Sequence, residues 1–165
     1  MRIQKSTDYA VRILIYLSEN KGELHTAQTI ADAVGIGHSY FFKAIKQLRD
    51  NGLVKTEQGR HGGFSLGKPA HQISVYDVYL AMEGEMYMNH CLKEEWVCTK
   101  PMSNKDACKV RTFLHSLQED IIIASMMKKR ISDLSYSGEC DTEKTYPKNR
   151  TATGQESQKR FETRA

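Results

Sequence analysis

Apolar residues recur every three or four positions through the first fifty residues, and the intervals break at glycine and asparagine. Ala10, Ile13, Leu14 and Leu17 define one face of a helix over residues 6–19, with Ser6 or Thr7 placed to cap it and Asn20-Lys21-Gly22 to end it. Thr26 is an N-cap for a second helix whose inward face is Ala27, Ile30, Ala31 and Val34. Gly35-Ile36-Gly37 makes a tight turn. A third helix runs from about His38 to Asp50, with Phe41, Ala44, Ile45 and Leu48 turned inward and Asn51-Gly52 stopping it. The period then changes. Leu53–Thr56 reads as a short strand, Gly59–Gly63 as a turn and Phe64–Leu66 as the returning strand. Ser74 begins a fourth helix to about Met82, with Asp77 in the capping-box position, and Gly84 ends it.

Residues 85–109 carry no clean period. From about Val110 to Leu134 a long helix resumes, in which Leu114, Leu117, Ile121, Ala124, Ile131 and Leu134 approximate a heptad seam interrupted at Lys128. From Tyr136 the chain turns to Thr, Lys, Glu, Arg, Asn and Gln. Such a segment buries too little apolar surface to offset its ordering entropy, so a disordered tail is expected. The organisation that follows is a unit over 1–84, a loop over 85–109, a helix over 110–135 and a tail over 136–165. The fold class is mainly α with a small β-hairpin.

Composition narrows the function. The 165 residues are 39% hydrophobic and carry a net charge of +4, an excess that suits a polyanionic partner. The polar N-terminus has no secretory character and no stretch has the apolar length of a membrane span, so a cytoplasmic protein without membrane contact is expected. No nucleophile elbow, phosphate loop, dinucleotide fingerprint or HExxH pattern is present, which argues against an enzyme.

Helix, short turn, helix and a glycine-tipped hairpin form the layout of a winged helix-turn-helix. The second helix of such a pair lies in the major groove of DNA. His38, Ser39 and Tyr40, at its start, are placed to reach base edges. Lys43, Lys46 and Gln47 share its polar face, and the two lysines suit phosphates, which fix position without reading sequence. Arg60 and His61 stand at the hairpin tip, where an arginine can enter a narrow minor groove.

The segment Lys55–Gly84, which reads K-T-E-Q-G-R-H-G-G-F-S-L-G-K-P-A-H-Q-I-S-V-Y-D-V-Y-L-A-M-E-G, closely resembles the regulator family of IscR and NsrR, the Rrf-two family. S-T-D-Y-A-V-R-I-L-I-Y-L and Y-F-F-K-A-I-K-Q-L-R-D-N-G-L-V extend the resemblance over about residues 1–134. It implies a bacterial transcription regulator, a repressor by preference. It also implies a homodimer formed through the long C-terminal helix, bound to a near-palindromic double-stranded operator. Many such proteins hold an iron–sulfur cluster in the loop before the dimer helix.

Cys91, Cys98 and Cys108 fall in that loop, separated by six and nine residues, a wider set than cluster-binding relatives use. Thiolates are the ligands a cluster needs, of [2Fe-2S] or [4Fe-4S] type. The IscR-like fourth ligand, a histidine three residues past the last cysteine, is replaced here by Arg111. The NsrR-like pattern instead draws an aspartate from the partner subunit's first helix, and Asp8 in S-T-D-Y-A matches that place. An acidic residue in a first helical turn is also what the helix dipole favours. His90 and His115 are alternative ligands, and Cys140 reads as a free thiol in the tail. The cluster would sense nitric oxide, redox or iron status. Two alternatives remain on the same fold: direct thiol oxidation and a zinc site.

Overall fold

In the computed structural model, residues 3–60, 62–96, 98 and 108–135 are described. His61, Cys140 and the expected disordered tail over 136–165 lie outside them.

The first helix, α1 (Lys5–Glu19), forms where the pattern predicts, and Ala10, Ile13, Leu14 and Leu17 are buried at its centre. Its start differs from expectation. Neither Ser6 nor Thr7 caps it: the cap residue is Gln4, which offers no side-chain acceptor. Thr7 sits inside the helix, buried, and donates its hydroxyl to Oε1 of Glu83, which also accepts the Gln4 backbone N–H at 3.0 Å. The cap comes from a distant residue.

Helix α2 (Ala27–Val34) is capped by Thr26, whose hydroxyl accepts the Thr29 N–H at 3.2 Å, and it ends at Gly35 with φ +70°. Helix α3 (His38–Asp50) buries Phe41, Ala44, Ile45 and Leu48 against α1. Strands β1 (Val54–Glu57) and β2 (Gly63–Leu66) pair antiparallel, Val54 opposite Leu66 and Glu57 opposite Gly63. A third edge is added by His25, which exchanges backbone hydrogen bonds with Phe64 at 3.2 and 2.9 Å. Gly63 permits this approach: a Cβ there would lie 2.7 Å from the His25 carbonyl oxygen. His25 itself is buried, its Nε2 3.1 Å from the Asn20 carbonyl oxygen and its ring edge-to-face with Tyr16.

Helix α4 (Val75–Glu83) starts at the expected capping box. Ser74 Oγ accepts from the Asp77 N–H at 3.0 Å, and Asp77 Oδ2 accepts from the Ser74 N–H at 2.8 Å. Such a cap contributes about 1 kcal/mol.

The C-terminal helix departs from expectation. It runs as α5 (Lys109–Ser116), a π-helical stretch over Leu117–Ile123 and α6 (Ala124–Lys128), and then stops. Lys129 is extended, and its carbonyl accepts the Val75 N–H at 2.9 Å. The Ile131 N–H bonds the Ile73 carbonyl at 2.9 Å, and Ile131–Leu134 forms a 3-10 turn. Ile131 is fully buried in the core of α1–α4. It therefore belongs to that core and not to a helical seam. The backbone pairing beside Ser74 ends the helix sooner than side-chain periodicity predicts.

Candidate functional site

Helix α3 presents two surfaces fixed by its 3.6-residue turn. The four buried residues form one. His38, Ser39, Lys43 and Lys46 are exposed on the other, as expected, and Tyr40 is 61% exposed. Tyr40 leans on α1, its ring edge-to-face with Tyr9 at 6.0 Å. Gln47 differs from the expected groove-facing role: it is half-buried, and its Nε2 donates to the Met82 carbonyl at 3.3 Å. The wheel turns position 47 toward α4, so its amide fastens α3 to α4. Phe42, which the polar pattern passed over, is 51% exposed beside His38. Its signal in the sequence was a second phenylalanine adjacent to the one that the core requires.

At the wing, Gly59 has φ +120° and its carbonyl accepts the Gly62 N–H at 2.9 Å, closing the turn around an exposed Arg60. A Cβ at Gly62 would lie 2.3 Å from the Glu57 carbonyl oxygen, so the tip requires glycine there. The α3 face and Arg60 supply exposed cationic and hydrogen-bonding groups of the kind that can contact phosphates and bases.

The three cysteines of the described residues lie after α4 and at the start of α5. Cys91 lies in a 3-10 turn over His90–Leu92, its N–H donated to Asn89 Oδ1 at 3.3 Å. Cys108 precedes α5, where its carbonyl accepts the N–H and hydroxyl of Thr112. Cys91, Cys98 and Cys108 are free and half-exposed. Among the described residues, no three cysteine, histidine or carboxylate side chains gather into a group able to hold a metal. Asp8 is exposed on α1 and paired with Arg12 Nε at 3.0 Å. As folded in one chain, these donors do not fit an iron–sulfur cluster.

Two contacts tie the cysteine loop to the C-terminal helix. Arg111 Nε donates to the Cys91 carbonyl at 2.9 Å. Gln118, buried in the π-helical stretch, accepts the Met88 N–H on Oε1 at 2.8 Å. Arg111 thus serves as a tether between the cysteine loop and the helix. Beside these contacts a cleft of about 600 Å³ is lined by Tyr76, Glu85, Tyr87, Glu94 and Glu119 among others. Burial, then the charges of Glu119 and Glu85, raise the Tyr76 phenol above its ordinary pKa. A hydrogen bond to Glu85 does most to raise that of Tyr87.

The C-terminal helix leaves several large apolar side chains exposed among polar ones. Val110 and Phe113 are each 65% exposed, Ile121 58% and Met127 51%. Among the described residues, no helix is long and apolar enough to cross a membrane.

The sequence profile of Rrf2, described as an iron-dependent transcriptional regulator, matches residues 3–136. Protein aau3 of Rhizobium meliloti is 39% identical over 93 residues, covering 56% of this chain and 60% of its own length. The HTH-type transcriptional regulator NsrR of Bacillus licheniformis is 30% identical over 143 residues, covering 80% of this chain and 100% of that protein. Two solved structures share the fold. CymR, the global cysteine regulator of B. subtilis, superposes with a TM-score of 0.60 at 20% identity, over 82% of this chain and 96% of that one. IscR of T. potens does so with a TM-score of 0.62 at 20% identity, over 81% and 85%.

Proposed function

The chain belongs to the Rrf2 family of transcriptional regulators, and from that premise we propose that it is a homodimeric repressor whose operator binding is controlled by the thiols of Cys91, Cys98 and Cys108. The observation that carries the DNA-binding part is the division of α3. Four of its residues are buried against the core, while His38, Ser39, Tyr40, Lys43 and Lys46 stand exposed on one convex surface. A winged helix inserts such a surface in the major groove, and an exposed arginine at the wing tip, such as Arg60, can enter the neighbouring minor groove. In this reading the exposed Val110, Phe113 and Ile121, which recur along one side of the helix, pair the two subunits, since exposed apolar side chains gathered on one face mark a protein–protein contact. Two subunits then present two α3 helices to half-sites of a near-palindromic operator.

Control runs through the loop. Because Arg111 and Gln118 bind its backbone, a change at Cys91 is felt by the helix that sets the spacing of the two subunits. Three free, half-exposed thiols support direct thiol chemistry. The cluster reading needs the loop to re-form around iron, with Asp8 released from Arg12 to reach a second subunit, and no step of control is derived through it.

Selection of duplexes by the full-length chain tests the DNA-binding reading. An enriched near-palindrome, bound with an affinity that falls steeply as salt rises, is the expected result. Salt-insensitive binding or no enrichment would defeat it. For control, anaerobic reconstitution with iron and sulfide followed by metal analysis separates the two readings. An iron-free protein whose operator affinity still changes on oxidation supports thiol chemistry; stoichiometric iron with a visible chromophore restores the cluster.

A further inference from the structure

Tyr40 and Phe42 are the two large rings left exposed on α3. Tyr40 is held against Tyr9 of α1. Phe42, two residues on, lies on the opposite flank of the helix. Its ring is 51% exposed and meets His38 at 6.1 Å and Phe41 at 5.4 Å, both edge-to-face. Two neighbours therefore hold it in place from within its own helix. Around it stand Ser39, Lys43 and Lys46, all exposed.

An exposed phenylalanine within a cationic, hydrogen-bonding surface fits an occupant with one small apolar group among polar ones. The major groove offers that combination. Its floor carries donors and acceptors, and its one apolar group is the 5-methyl of thymine, which accepts contact from phenylalanine. Phe42 is the fifth residue of α3, within the N-terminal part that a recognition helix directs at base edges. Its ring already rests edge-to-face against Phe41 and His38, which reduces the rotamer freedom lost on contact.

We propose that Phe42 is a specificity-determining residue that reads a thymine 5-methyl group in each operator half-site. The assignment rests on the DNA-binding reading above and sharpens it. His38 and Ser39 supply polar readout beside the methyl, and Lys43 and Lys46 hold phosphates.

The test uses the full-length chain and the duplex it selects. Each thymine of one half-site is replaced in turn by deoxyuridine, which removes only the methyl. At one position the wild-type affinity falls roughly fourfold, the loss expected for one methyl's worth of apolar burial. Phe42→Ala binds more weakly than wild type and binds the thymine and uracil duplexes equally at that position. Phe42→Leu keeps part of the preference. Far-UV dichroism and thermal unfolding show whether each variant is folded; the uracil scan on the wild type needs no variant. A selected duplex insensitive to uracil at every thymine would overturn the assignment while leaving DNA binding intact. So would a folded Phe42→Ala with wild-type affinity and preference, or one whose only change is in its state of assembly. Failure to enrich any duplex would defeat the DNA-binding reading itself, and the assignment with it.

Discussion

The buried hydroxyl of Thr7 donates to Oε1 of Glu83, and the same oxygen accepts the backbone N–H of Gln4 at 3.0 Å. One carboxylate at the end of α4 therefore caps α1, where the positive end of the helix dipole favours negative charge. It also ties the end of α4 to the start of α1. Glu83→Ala leaves the Thr7 hydroxyl buried without an acceptor and should lower stability by about 1–3 kcal/mol. Glu83→Gln, which keeps an acceptor oxygen, should lose less. Urea unfolding midpoints would measure both, and an alanine variant as stable as wild type would show the contact to be unimportant.

Gly63→Ala should harm the wing. The new methyl would press on the His25 carbonyl 2.7 Å away, against backbone that cannot swing aside. Overpacking of this kind costs on the order of 1–3 kcal/mol. Operator affinity should fall together with the melting temperature. A variant with normal melting and normal affinity would mean that the His25–Phe64 pairing does not hold the wing.

Helices α2 and α3 were legible because each carries its own signals: a threonine cap and a glycine stop for α2, and for α3 four inward residues at helical spacing with Asn51-Gly52 to end it. The Ser74–Asp77 capping box was legible for the same reason. What escaped the sequence depends on residues far apart in the chain. Glu83 displaces Ser6 and Thr7 as the cap of α1 from the end of α4. Gln47 looks like any polar residue on α3 until α4 brings the Met82 carbonyl beside it. Ile131 fits a heptad position, yet the pairing of Lys129 and Ile131 with Ile73 and Val75 draws it into the main core. The cysteines were found by type and spacing, but spacing alone could not say whether the thiols meet.

Lys43 and Lys46 are assigned to phosphates, which predicts a particular signature. Replacing either by Ala should weaken binding evenly across duplex sequences and reduce the slope of log affinity against log salt by about one. Filter binding or anisotropy over a range of salt concentrations measures the slope. A lysine variant that changes the preferred sequence while leaving the slope intact would move that residue from phosphate to base readout.

Ile121→Glu places a charge in the exposed stripe of the C-terminal helix. It should convert the proposed dimer to monomer, because an unpaired charge buried at an interface costs several kcal/mol. Operator binding should then fall sharply, since one α3 reads only half of the site. Sedimentation and operator titration test the two effects together. Monomers that bind the full operator with wild-type affinity would refute dimeric recognition.

Arg111 offers the most direct handle on coupling between the cysteine loop and the helix. Its guanidinium holds the Cys91 carbonyl at 2.9 Å, and hydrogen bonds to charged groups are worth about 1.5–3 kcal/mol. Arg111→Ala should let the loop open more often and raise the rate at which Cys91 reacts with a small alkylating reagent by about tenfold, the factor that 1.4 kcal/mol of local stability represents. The thiols themselves are unchanged, so oxidation should still proceed. What should shrink is the difference in operator affinity between reduced and oxidised protein, because the loop no longer pulls on the helix. Conservative replacement by Lys, which keeps a charge but loses the directional Nε–H, should restore only part of that difference. Unaltered alkylation and an unaltered oxidation response in Arg111→Ala would show that the signal reaches the helix by another route, with Gln118 the next residue to replace.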